Sequence, residues 1–330
     1  MNTFGRIFRV HIFGESHGEC VGITIDGCPA GLSLTPEDML ADLERRKGGK
    51  QKGTTPRQEA DFPLIKSGVF ENKTTGFPIT ILFENKNTRS EDYQKQRSIP
   101  RPGHADWVAH QKFGGHEDYR GGGHFSARLT TGLVAAGAIA KKLMPDVSIQ
   151  AAVTEIGGER DLEKGLQKAI DAKDSVGGLV ECRVQGLPVG LGEPYFDSVE
   201  SVLSHMIFTI PAVRGVEFGT GFPAARMFGS EHNDAIEDMT GKTRTNHAGG
   251  VVGGISNGNE LVFRLAIKPT SSTPREQHSL NWDTGKTEDF SIKGRHDLCV
   301  ALRAPVIVEA VTAIVLADFL MLEQKIQRVI

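Results

Sequence analysis

The sequence predicts one domain of mixed helices and strands, and two patterns carry that prediction. Short β-branched or alternating runs near residues 6–13, 21–26, 78–84, 178–185 and 260–267 have the length and residue types of strands. Two stretches of small and aliphatic residues, about 127–144 and 304–328, have the length and composition of helices. No shift in composition marks a linker, so the 330 residues are expected to form a single unit, 1–330, with a substantial core.

Taken in order, the N-terminal run carries Arg6 and Arg9 inside its apolar stretch, which suits a strand and not a signal peptide. Thr35-Pro36-Glu37-Asp38 reads as a helix start, with Thr35 as N-cap, and that helix should end among Arg45, Arg46 and Lys47. Asp197 with Glu200 resembles a capping box for a helix that ends before Pro211. The apolar stretch from Pro305 to Leu322 contains Glu309 and Asp318, so a buried helix is expected and not a membrane span. A polar loop bearing Arg and His precedes each of the two long helices, an echo that points to an internal pseudo-duplication.

Composition narrows the function. A net charge of −3 argues against a nucleic-acid partner. Four widely spaced cysteines, with no CxxC pair, read as reduced thiols of a cytoplasmic protein. The 39 glycines are gathered into short clusters beside polar residues, where backbone can approach a ligand. Five such clusters stand out: Gly14 to Gly18, Arg101 to Asp106, Arg120 to Arg128, Lys268 to Ser272 and Gly294 to Cys299. Cations, hydroxyls and exposed N–H groups together are the chemistry of phosphate binding. Neither Gly241-Lys242-Thr243 nor Gly285-Lys286-Thr287 completes a P-loop, because Ile236 and Leu280 occupy the required first glycine. The spacing of His104, His110 and His116 matches no zinc motif, and no metal is expected.

His17, flanked by glycine and a hydroxyl at a strand end, and His104, set in a rigid Pro-Gly turn, are candidates for proton transfer. A Ser16–His17 dyad is not expected, since neighbours on a strand face opposite ways. Residues 46–58, rich in Gly and Lys, are either a solvated surface loop or a mobile basic loop closing over an anion.

The segments GESHGECVGITIDGCPAG, GGGHFSARLTTGLVAAGAIA and GRHDLCVALRAPVIVEA resemble the three signature segments of the chorismate synthase family. NTFGRIFRV, DLERR, TRSEDY, RPGHADW, GLGEPYFD, IPAVRGVEFG, NHAGGVVGGISNG and KPTSS agree with it in order, from about Gly5 to Leu322. The resemblance implies an α+β fold with helices layered between antiparallel sheets, assembled as a homotetramer. It implies a lyase that converts 5-enolpyruvylshikimate-3-phosphate to chorismate by 1,4-elimination of phosphate, with reduced FMN lending an electron that later returns.

It also implies residue roles. His17 would protonate the departing phosphate, His104 would face the reduced flavin, and Asp297 would act with the flavin in removing the ring proton. Flavin contacts would come from His124, Phe125, Ser126, Pro211, Ala212, Gly253, Lys268, Pro269, Thr270, Ser271, Ser272 and Arg295. Arg46 and Lys52 match positions for a nicotinamide phosphate, although substrate or flavin contact suits them equally. With Arg128 and Arg295 they would supply the positive field for substrate. NADPH could serve as reductant, but with no reductase domain evident an external flavin reductase is the expected source.

The chain also departs from the family pattern. His124-Phe125 stands where many relatives carry Arg-Ser, Lys52 where Arg is common, Gly-Gly after DLERR where Pro-Gly is familiar, and His11 where Thr is more usual, a substitution expected to be structural. The segment after Gly157 is shorter than in the longer bacterial members. A metal-dependent phosphatase or phosphotransferase, or a flavin-binding module without turnover, are the alternatives.

Overall fold

A computed structural model describes residues 2–49, 52–57, 59–88, 97–292 and 296–326. The strand runs build two antiparallel sheets. The first is made of β1 (Thr3–Phe4), β2 (Arg9–Gly14), β3 (Cys20–Asp26), β4 (Leu64–Ser67) and β5 (Ile79–Glu84), in the order β1-β2-β3-β5-β4. The second has β6 (Ser148–Ile156), β7 (Gly178–Gln185), β8 (Val213–Phe218) and β9 (Leu261–Ile267), in the order β8-β9-β7-β6. All five predicted strands are present; β4, β6 and β8 lie in segments whose alternation is too weak to read.

Between the sheets run two helices, α3 (Thr130–Lys142) and α6 (Ala304–Leu322), each introduced by a 3₁₀ turn, Ala127–Leu129 and Val300–Arg303. Helix α3 packs on β3 and α6 on β6 and β7, while the two helices pack on each other. The predicted layering is therefore the observed one, and each half repeats a sheet, a turn and a long helix. Their small residues allow the close approach: a Cβ on Gly137 would fall 2.4 Å from the Ala310 backbone. Both helices end earlier than expected, α3 at Lys142 and α6 at Leu322.

Helix α6 is long and apolar enough to cross a membrane by length and composition, yet nearly all of it is buried inside the fold. An all-round apolar helix needs apolar neighbours on every side, and the second sheet, α3 and the helix Val199–Ile207 provide them. Its two acids are answered by partners. Glu309 takes a paired bond from Arg45, at 2.7 Å to each oxygen, plus Lys141 Nζ at 3.1 Å and the Ala151 N–H at 3.1 Å.

Two helix starts differ from expectation. Helix α1 is Glu37–Arg46, and Thr35 does not cap it; instead the Asp38 carboxylate accepts the Thr35 N–H at 2.8 Å. A carboxylate one turn inside can turn back to the chain entering the helix, which is half of a capping box. Helix α5 (Val199–Ile207) is capped by Ser198, whose hydroxyl accepts from Ser201 N–H, and not by the Asp197–Glu200 pair. Asp197 is instead drawn to Arg6 at 2.6 Å.

The Glu309 cluster gives a stability prediction. Burial alone would raise this carboxyl, but Arg45 and Lys141 outweigh it and hold it below its ordinary value of 4.5. A depressed carboxyl contributes stability that is complete above its unfolded value and is lost as pH falls through the folded one. Glu309→Gln should cost roughly 1–3 kcal/mol at pH 7, and the gap to wild type should close as pH drops below 4.5. Thermal melts across pH measure it; a gap that stays constant down to acid pH refutes it.

Candidate active site

Four glycine clusters and the described part of the fifth meet at one end of the helix layer, around a cavity of about 530 Å³. Helix α1 shows how its floor is built. Met39, Leu43 and Arg46 share a buried face, spaced four and three residues apart, so the apolar stripe that anchors the helix also carries Arg46 inward. There Arg46 Nε bonds Thr130 Oγ1 at 3.0 Å and one terminal nitrogen lies 3.4 Å from Asp61. Arg128 bonds the other Asp61 oxygen and reaches Asn85 Oδ1 at 2.9 Å. Two arginines thus share one buried carboxylate, which leaves net positive charge facing the cavity. Asp61 holds a left-handed backbone, φ 50°, an arrangement kept only where the surroundings enforce it. Burial, and then the Arg303 cation, push the Arg46 guanidinium down to about 9, so it stays charged at neutral pH.

The triple glycine of Gly121-Gly122-Gly123 forms a wall between two histidines. All three have positive φ, and a Cβ on Gly121 would sit 2.0 Å from the His17 ring. A Cβ on Gly122 would meet His104 Cε1 at 3.3 Å. Glycine is required here because imidazoles press on the backbone from two sides. Burial, and then the Arg57 cation, push the His17 imidazole below its ordinary range.

Ser16 and His17 both line the cavity, contrary to the strand-based expectation that they face opposite ways. The reason is local: β2 ends at Gly14, and residues 15–19 form a turn. Ser16 Oγ accepts from Arg57 at 3.1 Å.

Asp297 is clamped on both carboxylate oxygens, by the Thr55 N–H at 2.8 Å and by Arg303 at 3.0 Å. The basic loop supplies Thr55 and is docked: Gly53 O accepts the N–H groups of Leu298 and Cys299 at 2.9 and 3.1 Å. Lys47, Gly48, Thr55 and Arg57 from this loop line the cavity, so it is a wall of the site and not merely a solvated surface. Positions 50, 51 and 58 of the loop lie outside the described residues.

On the far wall Lys268 bonds the Gly103 carbonyl and lies 3.4 Å from Ser271 Oγ, and Ser272 Oγ accepts from Arg101 at 3.3 Å. Pro211, Ala212, Pro269 and Thr270 line the same cavity, as do His124, Phe125 and Ser126. His124 is held by the Gly14 carbonyl at 2.9 Å and Asn2 Oδ1 at 3.3 Å, so the residue that stands for an arginine is tied to the β2 end. His11 is structural as expected, its ring 2.7 Å from Thr3 Oγ1. Two predicted positions do not reach the cavity. Lys52 turns outward to Gln167 at 2.9 Å, and Gly253 sits in a tight hairpin turn at the end of Val251–Val252. Arg295 lies outside the described residues.

Sequence reasoning missed Asp61, Arg57 and Arg303, and it named the Arg101 to Asp106 cluster without giving Arg101 or Asp106 a role of its own. Arg303 had a signal, since it precedes α6 much as Arg128 precedes α3. Asp61 had none, being an ordinary acid in a loop until folding buries it between two arginines.

A cavity walled by five arginines, four histidines and a clamped aspartate within an α+β fold defines an enzyme for a small, multiply anionic substrate. Residues 8–321 match the family model described as chorismate synthase. Chorismate synthase of Chitinophaga pinensis is 68% identical over 330 residues, covering 100% of this chain and 99% of that one. That of Dehalococcoides mccartyi is 44% identical over 360 residues, covering 100% and 99%. A crystal structure of chorismate synthase superposes with a TM-score of 0.73 at 28% identity, over 97% of this chain and 93% of that one. The chain belongs to the chorismate synthase family, a family of lyases acting on a small-molecule substrate.

Proposed function

We propose that the protein converts 5-enolpyruvylshikimate-3-phosphate to chorismate and phosphate, in the shikimate pathway of aromatic amino acid biosynthesis, with reduced FMN bound in the same cavity. The observation that carries this is the convergence of His17, His104 and Asp297, distant in sequence, on one cavity floored by Arg46 and Arg128. The wall residues fit a flavin: Lys268, Ser271 and Ser272 offer a cation and hydroxyls for its phosphate, and Phe125, Pro211 and Ala212 offer flat apolar surface for its ring. When bound, reduced FMN supplies an electron-rich ring beside an allylic phosphate ester. The chain's own groups do the rest. Arg46 and Arg128 draw in the anionic substrate, His17 gives a proton to the leaving phosphate oxygen, and Asp297 is placed to help remove the ring proton.

NADPH as the direct reductant belongs to the same reading only weakly, since Lys52 faces Gln167; an external flavin reductase is proposed instead. A cytoplasmic location accords with four free cysteines, of which burial pushes Cys28 up to about 12. Self-association into a homotetramer is supported by Tyr195, Phe196, Phe222, Phe228 and Ile236, which the single chain leaves largely exposed.

Phosphate release from the enolpyruvyl substrate, assayed anaerobically in EDTA and in parallel with a divalent metal, tests the reading. Release is expected with reduced FMN and not without it. Release that needs a divalent metal and ignores flavin would establish the phosphatase alternative, and FMN binding without release the binding-module one.

A further inference from the structure

His104 does not stand alone. Its Nδ1 lies 2.5 Å from Asp106 Oδ1, and the same oxygen accepts from an Arg101 terminal nitrogen at 2.7 Å. The other Asp106 oxygen accepts from Arg101 Nε at 2.7 Å and from the Arg101 N–H at 3.0 Å. Arg101 Nη2 and His104 Nδ1 are 3.0 Å apart because both converge on one oxygen.

The proton on Nδ1 follows from chemistry. A guanidinium has no lone pair and an ionised carboxylate has no proton. Were Nδ1 unprotonated, its lone pair would meet a carboxylate oxygen at 2.5 Å with nothing between them. Were Asp106 protonated, it would lose part of the paired bond to Arg101. Burial works to raise the Asp106 carboxyl, but the bonds from Arg101 and His104 hold it well below the usual carboxylate range. Arg101 is itself buried, and its remaining nitrogen is tied to Ser272, so the fork cannot swing away.

We propose that Asp106 is a positioning residue for His104, holding the ring in the tautomer protonated on Nδ1 so that Nε2 meets the cavity as a lone-pair acceptor. Arg101 is the brace that keeps Asp106 ionised and aimed. The effect on turnover rests on the reading of His104 as flavin-facing; the tautomer does not. A second-sphere carboxylate that fixes an imidazole in this way has the physical role of the aspartate in a Ser-His-Asp triad.

Nitrogen-15 NMR of the ¹⁵N-histidine-labelled full chain without flavin, with His104 assigned by its loss in His104→Gln, reads the tautomer directly. Wild type at pH 8 should show the Nδ1–H form. Asp106→Asn should move the ring toward Nε2–H and lower kcat by about tenfold or more with KM changed less. Asp106→Glu should keep the Nδ1–H signature and recover part of the rate. An Nε2–H ring in wild type overturns the proposal, whatever the variants do. So does an Asp106→Asn protein with wild-type tautomer and rate. If the tautomer shifts as stated but wild type has no flavin-dependent activity, the positioning role stands and the functional reading falls.

Discussion

Replacing His17 or Asp297 with alanine should lower turnover at least about a hundredfold while FMN still binds, because on the proposed reading each removes a proton-transfer group without opening the flavin walls. The two losses have different physical origins. In the free cleft, burial and then Arg57 keep the His17 imidazole below its ordinary range, so it is neutral at pH 7. A bound phosphate brings two negative charges, offsets Arg57 and favours the imidazolium that can protonate a leaving oxygen. Asp297 is aimed by the Thr55 N–H and one terminal nitrogen of Arg303, so it is placed before substrate arrives.

Asp297→Asn sharpens the test. The amide oxygen can keep the Thr55 bond, but its NH₂ would face Arg303, donor against donor. That variant should lose as much rate as alanine while disturbing the loop less. Anaerobic rates with reduced FMN, with binding followed by flavin fluorescence, measure all three variants. Near-normal turnover in both His17→Ala and Asp297→Ala would remove the assigned roles; loss of FMN binding in either would make that residue part of the flavin site instead.

The parts of the site legible in the sequence were those fixed by local chemistry. Gly121 and Gly122 announce a backbone in tight contact, and the contact proves to be His17 and His104. The strands were legible where one face is buried, as in Ile79–Glu84, whose burial alternates along the run. What stayed hidden depends on distant partners. Asp61 becomes the bridge between Arg46 and Arg128 only when α1 and the start of α3 are brought together. The Thr35 cap failed because Asp38 offers the entering chain a better acceptor, a competition that type and spacing alone do not resolve. The Ser16–His17 expectation failed because a strand pattern does not say where the strand stops.

Asp318→Ala should be the most destabilising single change outside the cavity. The carboxylate is 5% exposed and sits near the end of α6, where it accepts three consecutive backbone N–H groups: Arg6 at 2.9 Å, Ile7 at 2.7 Å and Phe8 at 2.9 Å. Alanine leaves these donors without an acceptor beside a fully buried Phe8, and each orphaned donor costs roughly 1–3 kcal/mol. Even with partial rescue by water, about 3–5 kcal/mol should be lost, which corresponds to a fall of roughly 4–7 °C in Tm for a chain of this size. Asp318→Asn, whose single side-chain oxygen can serve only part of the set, should fall between. The damage should spread along β2, since residues 6–8 lead directly into it and β2 ends at Gly14, just before the turn that carries His17. Amide exchange should therefore accelerate at Phe8 to Phe13 before it does in α3, and catalytic rate should decline at temperatures where most of the fold persists. A variant that melts within about 2 °C of wild type would mean that the three donors find other partners. In that case the second acid of α6 would not be the anchor that ties the first strand to the core helix.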